Sequence, residues 1–182
     1  SLTEDRTGDV LRAEALAREA LDEEPESAFA FLVLATCALM GGQWDLVREH
    51  ALRARQLGPY HPTLLASAGL LLTYSGAWDQ GVELLQRAFR LNPQLPSYAR
   101  TLLCWDRLVS GDDAGALAHA SVIHAPGEAW GPLCRALALA GLGHLEDAQA
   151  ELRAAVDIDP EIRDDPRHFF VANINLPESH VE

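Results

Sequence analysis

The segment "WDQGVELLQRAFRL" (78–91) sets apolar or small residues at Val82, Leu85, Ala88 and Phe89. That spacing is the stripe of an amphipathic helix, with polar residues on the opposite face. The segment "AFAFLVLATCALM" (28–40) is the longest apolar-rich run of the chain. It is too short for a bilayer, which needs about 20 residues. Helical stretches of these kinds recur, and what separates them is regular.

Prolines fall at 25, 59, 93, 126 and 160. A small residue stands five positions before each: Ala20, Ala54, Ala88, Ser121 and Ala155. Gly8, Gly42, Gly76 and Gly143 each precede their Pro by 17 residues, whereas Gly111 precedes its Pro by 15. A period of this length marks a repeat architecture. Each unit reads as two helices. Helix A runs to the Gly, whose positive φ ends it. Helix B runs from the Gly to the Pro, where its pattern stops. The small residues admit close neighbours. One such pair cannot bury its own apolar stripe, so successive pairs must stack.

The pattern resembles the tetratricopeptide repeat. Residues 28–59 match it at Phe31, Leu34, Ala35, Gly42, Trp44, Ala54 and Pro59, with Val47 where Ala is usual. Residues 62–93 match at Leu65, Ala68, Gly69, Leu72, Gly76, Trp78, Gly81, Ala88 and Pro93. Residues 129–160 match at Ala136, Leu139, Gly143, Ala148, Ala155 and Pro160. The resemblance implies an all-α fold, a right-handed α-α superhelix of antiparallel helix pairs. It divides the chain into a half repeat (1–26, helix B only) and repeats at 27–60, 61–94, 95–127 and 128–160. A C-terminal capping tail (161–182) follows. The repeat at 95–127 is degenerate, its A–B turn reading as shifted. The unpaired first helix reads as the remnant of a longer protein, or else as a shortened cap.

Net charge is −13, and all basic residues are Arg. Phosphate binding needs clustered cations, so nucleic acid is not expected as a partner, nor is an anionic membrane. Cys37, Cys104 and Cys134 form no CxxC and lie in apolar helical stretches. They read as packed, reduced thiols of a cytoplasmic protein. His119 and His124 are five apart, the wrong spacing for one helical metal face. No metal or cofactor is expected. "SGDD" (110–113) sits at a helix start, where Asp caps amides and complements the dipole. No nucleophile–base pair, phosphate loop or dinucleotide fingerprint is present.

The resemblance places helix A on a concave groove. Carried over residue by residue, its groove positions are Phe29, Leu32, Thr36 and Leu39, then Thr63, Ala66, Leu70 and Thr73. The third repeat gives Arg100, Cys104 and Arg107, and the fourth Trp130, Leu133 and Leu137. The first two repeats lack the Lys, Asn and Arg with which some members of the family clamp a peptide carboxylate. The groove reads as mainly apolar with a cationic spot, since Arg100 and Arg107 share a helix face. Either an acidic group of a partner meets them, or the chain's own carboxylates do. Arg135 points toward the core in this register, where an unpaired charge is costly. In the tail, Phe169, Phe170, Val171 and Ile174 form an apolar stripe that either caps the last pair or lies in a groove.

The expected function is a non-enzymatic scaffold binding a protein or peptide segment. The alternative is a regulatory or dimerising domain of a bacterial signalling protein. "IDPEIRDDP" (158–166) and "NLP" resemble the ends of repeat domains attached to class III nucleotide cyclases and winged-helix regulators. On that reading the chain forms a homodimer.

Overall fold

The computed structural model describes residues 2–124 and 127–164 and is helical throughout, with no strand among them. Helix α1 (Leu2–Glu23) precedes two hairpins, α2 (Ala28–Met40) with α3 (Trp44–Leu57) and α4 (Pro62–Tyr74) with α5 (Trp78–Leu91). A short 3₁₀ turn, Ser97–Ala99, leads into α6 (Arg100–Val109) and α7 (Asp113–Ala120). The last hairpin is α8 (Trp130–Gly141) with α9 (Leu145–Ile158), followed by the one-turn α10 (Glu161–Asp164). The chain divides into two compact units, Ser1–Pro93 and Gln94–Glu182. The division falls at one of the periodic prolines.

The turn inside each hairpin is the same device four times. Gly42, Gly76, Gly111 and Gly143 have φ of 66°, 85°, 75° and 81°. In the first, the Gly42 N–H donates to Leu39 O at 3.1 Å and the Gln43 N–H to Ala38 O at 2.9 Å. This is a Schellman motif, which satisfies carbonyls that the helix end leaves open. The same pair of bonds recurs at Gly76 and Ala77, at Gly111 and Asp112, and at Gly143 and His144. The residue after each glycine already begins helix B. Gln43 O accepts from Val47 N at 3.1 Å and Ala77 O from Gly81 N at 3.0 Å. One glycine therefore ends one helix and starts the next within three residues.

The far ends of the B helices follow the prolines. Gly58, Asn92 and Asp159 each stand before Pro and leave the helical region, with φ of −129°, −144° and −134°. A residue before Pro is sterically excluded from helical geometry. Each still donates its N–H back, to Ala54, Ala88 and Ala155, so the last turn is closed.

Packing in each unit runs through the small residues. Val47, Ala51 and Ala54 of α3 are fully buried, as are Leu85 and Ala88 of α5. Between α4 and α5 the backbones themselves touch. A Cβ on Gly81 would lie 2.6 Å from Gly69 O and 2.7 Å from Thr73 N. A Cβ on Gly69 would lie 2.9 Å from Gly81 O. In the second unit, Ala129, Leu133, Ala155 and Ile162 form a core cluster, so α10 covers the end of the α8–α9 hairpin.

Two expectations need correction. Gly8 ends no helix, because α1 runs through it from Leu2 to Glu23 without a positive φ. The degenerate third repeat keeps its turn in place. Its defect is in helix B, since α7 has 8 residues where α3, α5 and α9 have 14. Counted from the turn glycine, Pro126 stands where α5 has Leu91, inside the helix. A Pro there removes an intrahelical donor and clashes with the preceding turn. Helix α7 stops at Ala120, before the reach of that Pro, and Ser121 closes it by donating its N–H to Leu117 O at 2.9 Å. Residues 165–182 lie outside the described residues, and with them the stripe from Phe169 to Ile174.

Candidate functional site

Helices α2 and α4 contain no Asp, Glu, Arg or Lys. They pack on neighbours along most of their surface, but one face of α2 stays open. Phe29 is 54% exposed, Val33 40% and Met40 61%. Residues four and seven apart share a helix face, so these three and Thr36 make one stripe. The stripe forms the floor of a groove of about 590 Å³ within the first unit. Helix α1 walls it with Asp9, Val10 and Ala13, and α4 with Ser67 and Leu71. Phe29 makes an edge-on contact with the His61 ring, centroids 5.4 Å apart at 89°. His61 is itself fixed, because its Nδ1 accepts from Leu64 N at the start of α4.

Cys37 closes the groove where α1 meets α2, its Sγ donating to Val10 O at 3.6 Å. Burial and the Glu14 carboxylate push its thiol pKa up, which disfavours the reactive thiolate. All three cysteines are buried and unlinked. Cys134 shares a hydrogen bond with Cys104, and that bond and burial raise its pKa well above the ordinary thiol value. These are packing residues by chemistry and by position.

Of the expected groove residues, Phe29, Leu32 and Thr36 line this groove together. Leu39, Thr63, Ala66 and Leu70 do not: Ala66 is buried in the core, Thr63 is exposed, and Leu39 and Leu70 are half-buried. Trp130 and Leu137 lie on α8 in the second unit. Leu137 is 37% exposed, and Trp130 is half-buried with its ring edge-on to Trp105 at 6.2 Å.

Thr73, Cys104 and Leu133 are buried instead, at 1%, 0% and 2% exposure. One physical reason covers all three. Gly69 is the small residue that admits α5, and Thr73, four residues on, must share its face. The Thr73 hydroxyl is satisfied by Gly69 O at 2.7 Å. Ala136 is the equivalent small residue of α8, and Leu133 lies three residues before it. Counted from its own turn glycine, Cys104 occupies the Gly69 position itself.

The same count moves the cationic spot. Arg100 and Arg107 stand where α4 has Leu65 and Leu72, on the side facing helix B. Arg107 Nη1 pairs with Asp112 Oδ2 at 3.4 Å. His119 of α7 lies near both Arg. Burial and these two charges lower its pKa, against the opposing pull of Asp106 and Asp112. Arg107 thus meets one of the chain's own carboxylates, the second of the two readings. Asp112 also caps α7, its Oδ1 accepting from Gly115 N at 2.9 Å. Arg135 is not an unpaired core charge either. Its Nη2 meets Glu151 Oε2 at 2.9 Å, and its Nη1 reaches Ala120 O at 3.5 Å.

Val33, Met40, Ser67 and Leu71 were legible but missed. Val33 and Met40 share a helix face with Phe29, and Ser67 and Leu71 lie on the side of α4 turned away from Gly69. The α1 wall was not legible, since that helix carries no groove position in the repeat pattern.

No protein-family model matches the chain, and no curated protein matches it in sequence. Solved structures do. YrrB, described as a TPR protein with an unusual peptide-binding site, is 21% identical with a TM-score of 0.66 over 86% of this chain and 81% of its own. A MamA structure is 18% identical with a TM-score of 0.67 over 89% of this chain and 95% of its own. MamA from Desulfovibrio magneticus RS-1, residues 41 to the end, is 21% identical with a TM-score of 0.64 over 80% of this chain and 83% of its own. These likenesses show the tetratricopeptide-repeat fold. No helix among the described residues is long and apolar enough to cross a membrane.

Proposed function

We propose that the chain is a non-enzymatic protein-interaction scaffold that holds an apolar segment of a partner protein in the groove of its first unit. One observation carries this reading. The charge-free helix α2 leaves Phe29, Val33 and Met40 exposed on one face of a preformed groove. A contiguous apolar face of this kind marks an interaction site. Burying a partner's side chains there supplies the free energy, at roughly 25 cal/mol per Å². The helices that line the groove are held by their own packing, which keeps the ordering cost of binding low. YrrB, which shares the fold, is described as having a peptide-binding site, and that supports the reading.

A cytoplasmic setting fits the three buried, unlinked thiols. Nucleic acid is a poor partner for a chain of net charge −13. The regulatory-domain alternative gains nothing from the solved structures named above.

The test is selection of displayed random peptides on the full chain, followed by affinity measurement on Phe29→Ser/Met40→Ser. The double variant is expected to keep its unfolding midpoint and to bind selected peptides at least tenfold more weakly. Failure to enrich any peptide, or binding indifferent to both residues, contradicts the proposal.

A further inference from the structure

We infer that the segment taken by this groove carries a basic residue beside its apolar anchors, and that Asp9 on α1 receives it. The inference rests on the groove reading above and adds the partner's chemistry. The walls from α2 and α4 contain no formal charge, so they accept apolar side chains and offer nothing to a charged one. A charge buried there without a partner is costly. The specificity of the groove for charge therefore lies with α1.

Among the described residues, Asp9 is the charged one that lines the groove. Its side chain is exposed at the rim, and among the described residues no ion pair engages it. Arg12, three residues further on, does not line the groove. Glu14, on the same helix, is close enough to act on Cys37 in the groove wall, but Arg18 pairs with its carboxylate, so Asp9 is the charge left to the groove. Helix α1 as a whole holds seven acids against three Arg. The chain's net charge of −13 extends the same field over a longer range.

An apolar floor with an acidic rim is complementary to one kind of segment, with large apolar residues on one side and Arg or Lys next to them. An acidic segment meets Asp9 and is repelled. A charge at a solvated rim acts mainly on encounter rate and on discrimination among partners, and it is screened by salt.

The experiment is peptide selection on the full chain in two forms, wild type and Asp9→Arg, with thermal melts to confirm equal folding. Wild-type pools are expected to enrich Arg or Lys about threefold over the library beside their apolar anchors. Asp9→Arg pools should lose that enrichment and gain Asp or Glu. A synthetic peptide from the wild-type pool should bind Asp9→Asn three- to tenfold more weakly at low salt, with the gap closing as salt rises. Peptides that need Phe29 and Met40 yet show no basic preference, or that bind Asp9→Arg equally well, overturn the inference and leave the groove reading standing. Peptides that ignore Phe29 and Met40, or no enriched peptide, overturn both.

Discussion

The hairpins α2–α3 and α4–α5 are written in one pattern 34 residues apart, with Gly42 and Gly76 at the turns and Trp44 and Trp78 opening the second helices. They close differently. Where α4 and α5 present Gly69 and Gly81, α2 and α3 present Ala35 and Val47 at the same register. All-carbon side chains fill the first interface, and backbone meets backbone in the second. The tryptophans differ accordingly, with Trp44 at 44% exposure and Trp78 at 5%. Trp78 and Gly81 are three apart and share a face. Close approach at Gly81 draws the first turn of α5 onto α4. Val47 holds the start of α3 further off and leaves Trp44 half in water. A repeat motif therefore fixes the turn, while two small-residue positions decide how tightly the hairpin shuts.

The largest expected effect separates the two tryptophans. Trp78→Ala should cost about 3–5 kcal/mol, the range for deleting a buried large aromatic. Trp44→Ala should cost about 1–2 kcal/mol, because much of its surface never leaves water. Urea midpoints of the two variants check this, and equal losses would break the comparison at its root.

The glycine contact comes next. Gly81→Val should cost roughly 2–3 kcal/mol through overpacking, because besides the Thr73 hydroxyl it meets backbone atoms of Gly69 and Thr73, which cannot turn aside. The helix preference of Val over Gly, a few tenths of a kcal/mol, does not offset that. The reciprocal change in the first hairpin acts through a different term. Val47→Ala empties space instead of overfilling it, at about 1–2 kcal/mol. If Gly81→Val is neutral, backbone contact is not what closes the second hairpin.

These contrasts also show what the chain's letters convey. The turns were legible because one residue type, Gly with positive φ, is required there, and the prolines were legible because they stop a helix wherever they stand. The groove was only partly legible. Phe29, Leu32 and Thr36 line the groove, as the repeat register places them, whereas Thr73, Cys104 and Leu133 are buried. Each lies at, or one helical turn from, the small residue that admits helix B. Counting from that residue would have put them inside. Arg100 and Arg107 went astray for a related cause. The third repeat lost length inside helix B, so positions counted from Pro126 and from Gly111 disagree. The α1 wall has no counterpart in the motif, and only the packed structure brings Asp9 to the groove.

The smallest prediction sharpens the comparison by testing where the hairpins should not differ. Gly42 and Gly76 have φ of 66° and 85°, and a Cβ on either would meet nothing within 4 Å. Ala at these sites bears only the conformational penalty of the left-handed region, about 1–2 kcal/mol. It recovers roughly 0.4–1 kcal/mol because the unfolded chain loses freedom. Gly42→Ala and Gly76→Ala should therefore each lose about 0.5–1 kcal/mol, and by the same amount. Asn, which tolerates positive φ better, should lose less at both. Denaturation midpoints of the four variants decide it. A loss at Gly76 well beyond that at Gly42 would mean that the turn itself, and not the Gly69–Gly81 contact, sets the tighter closure of the second hairpin.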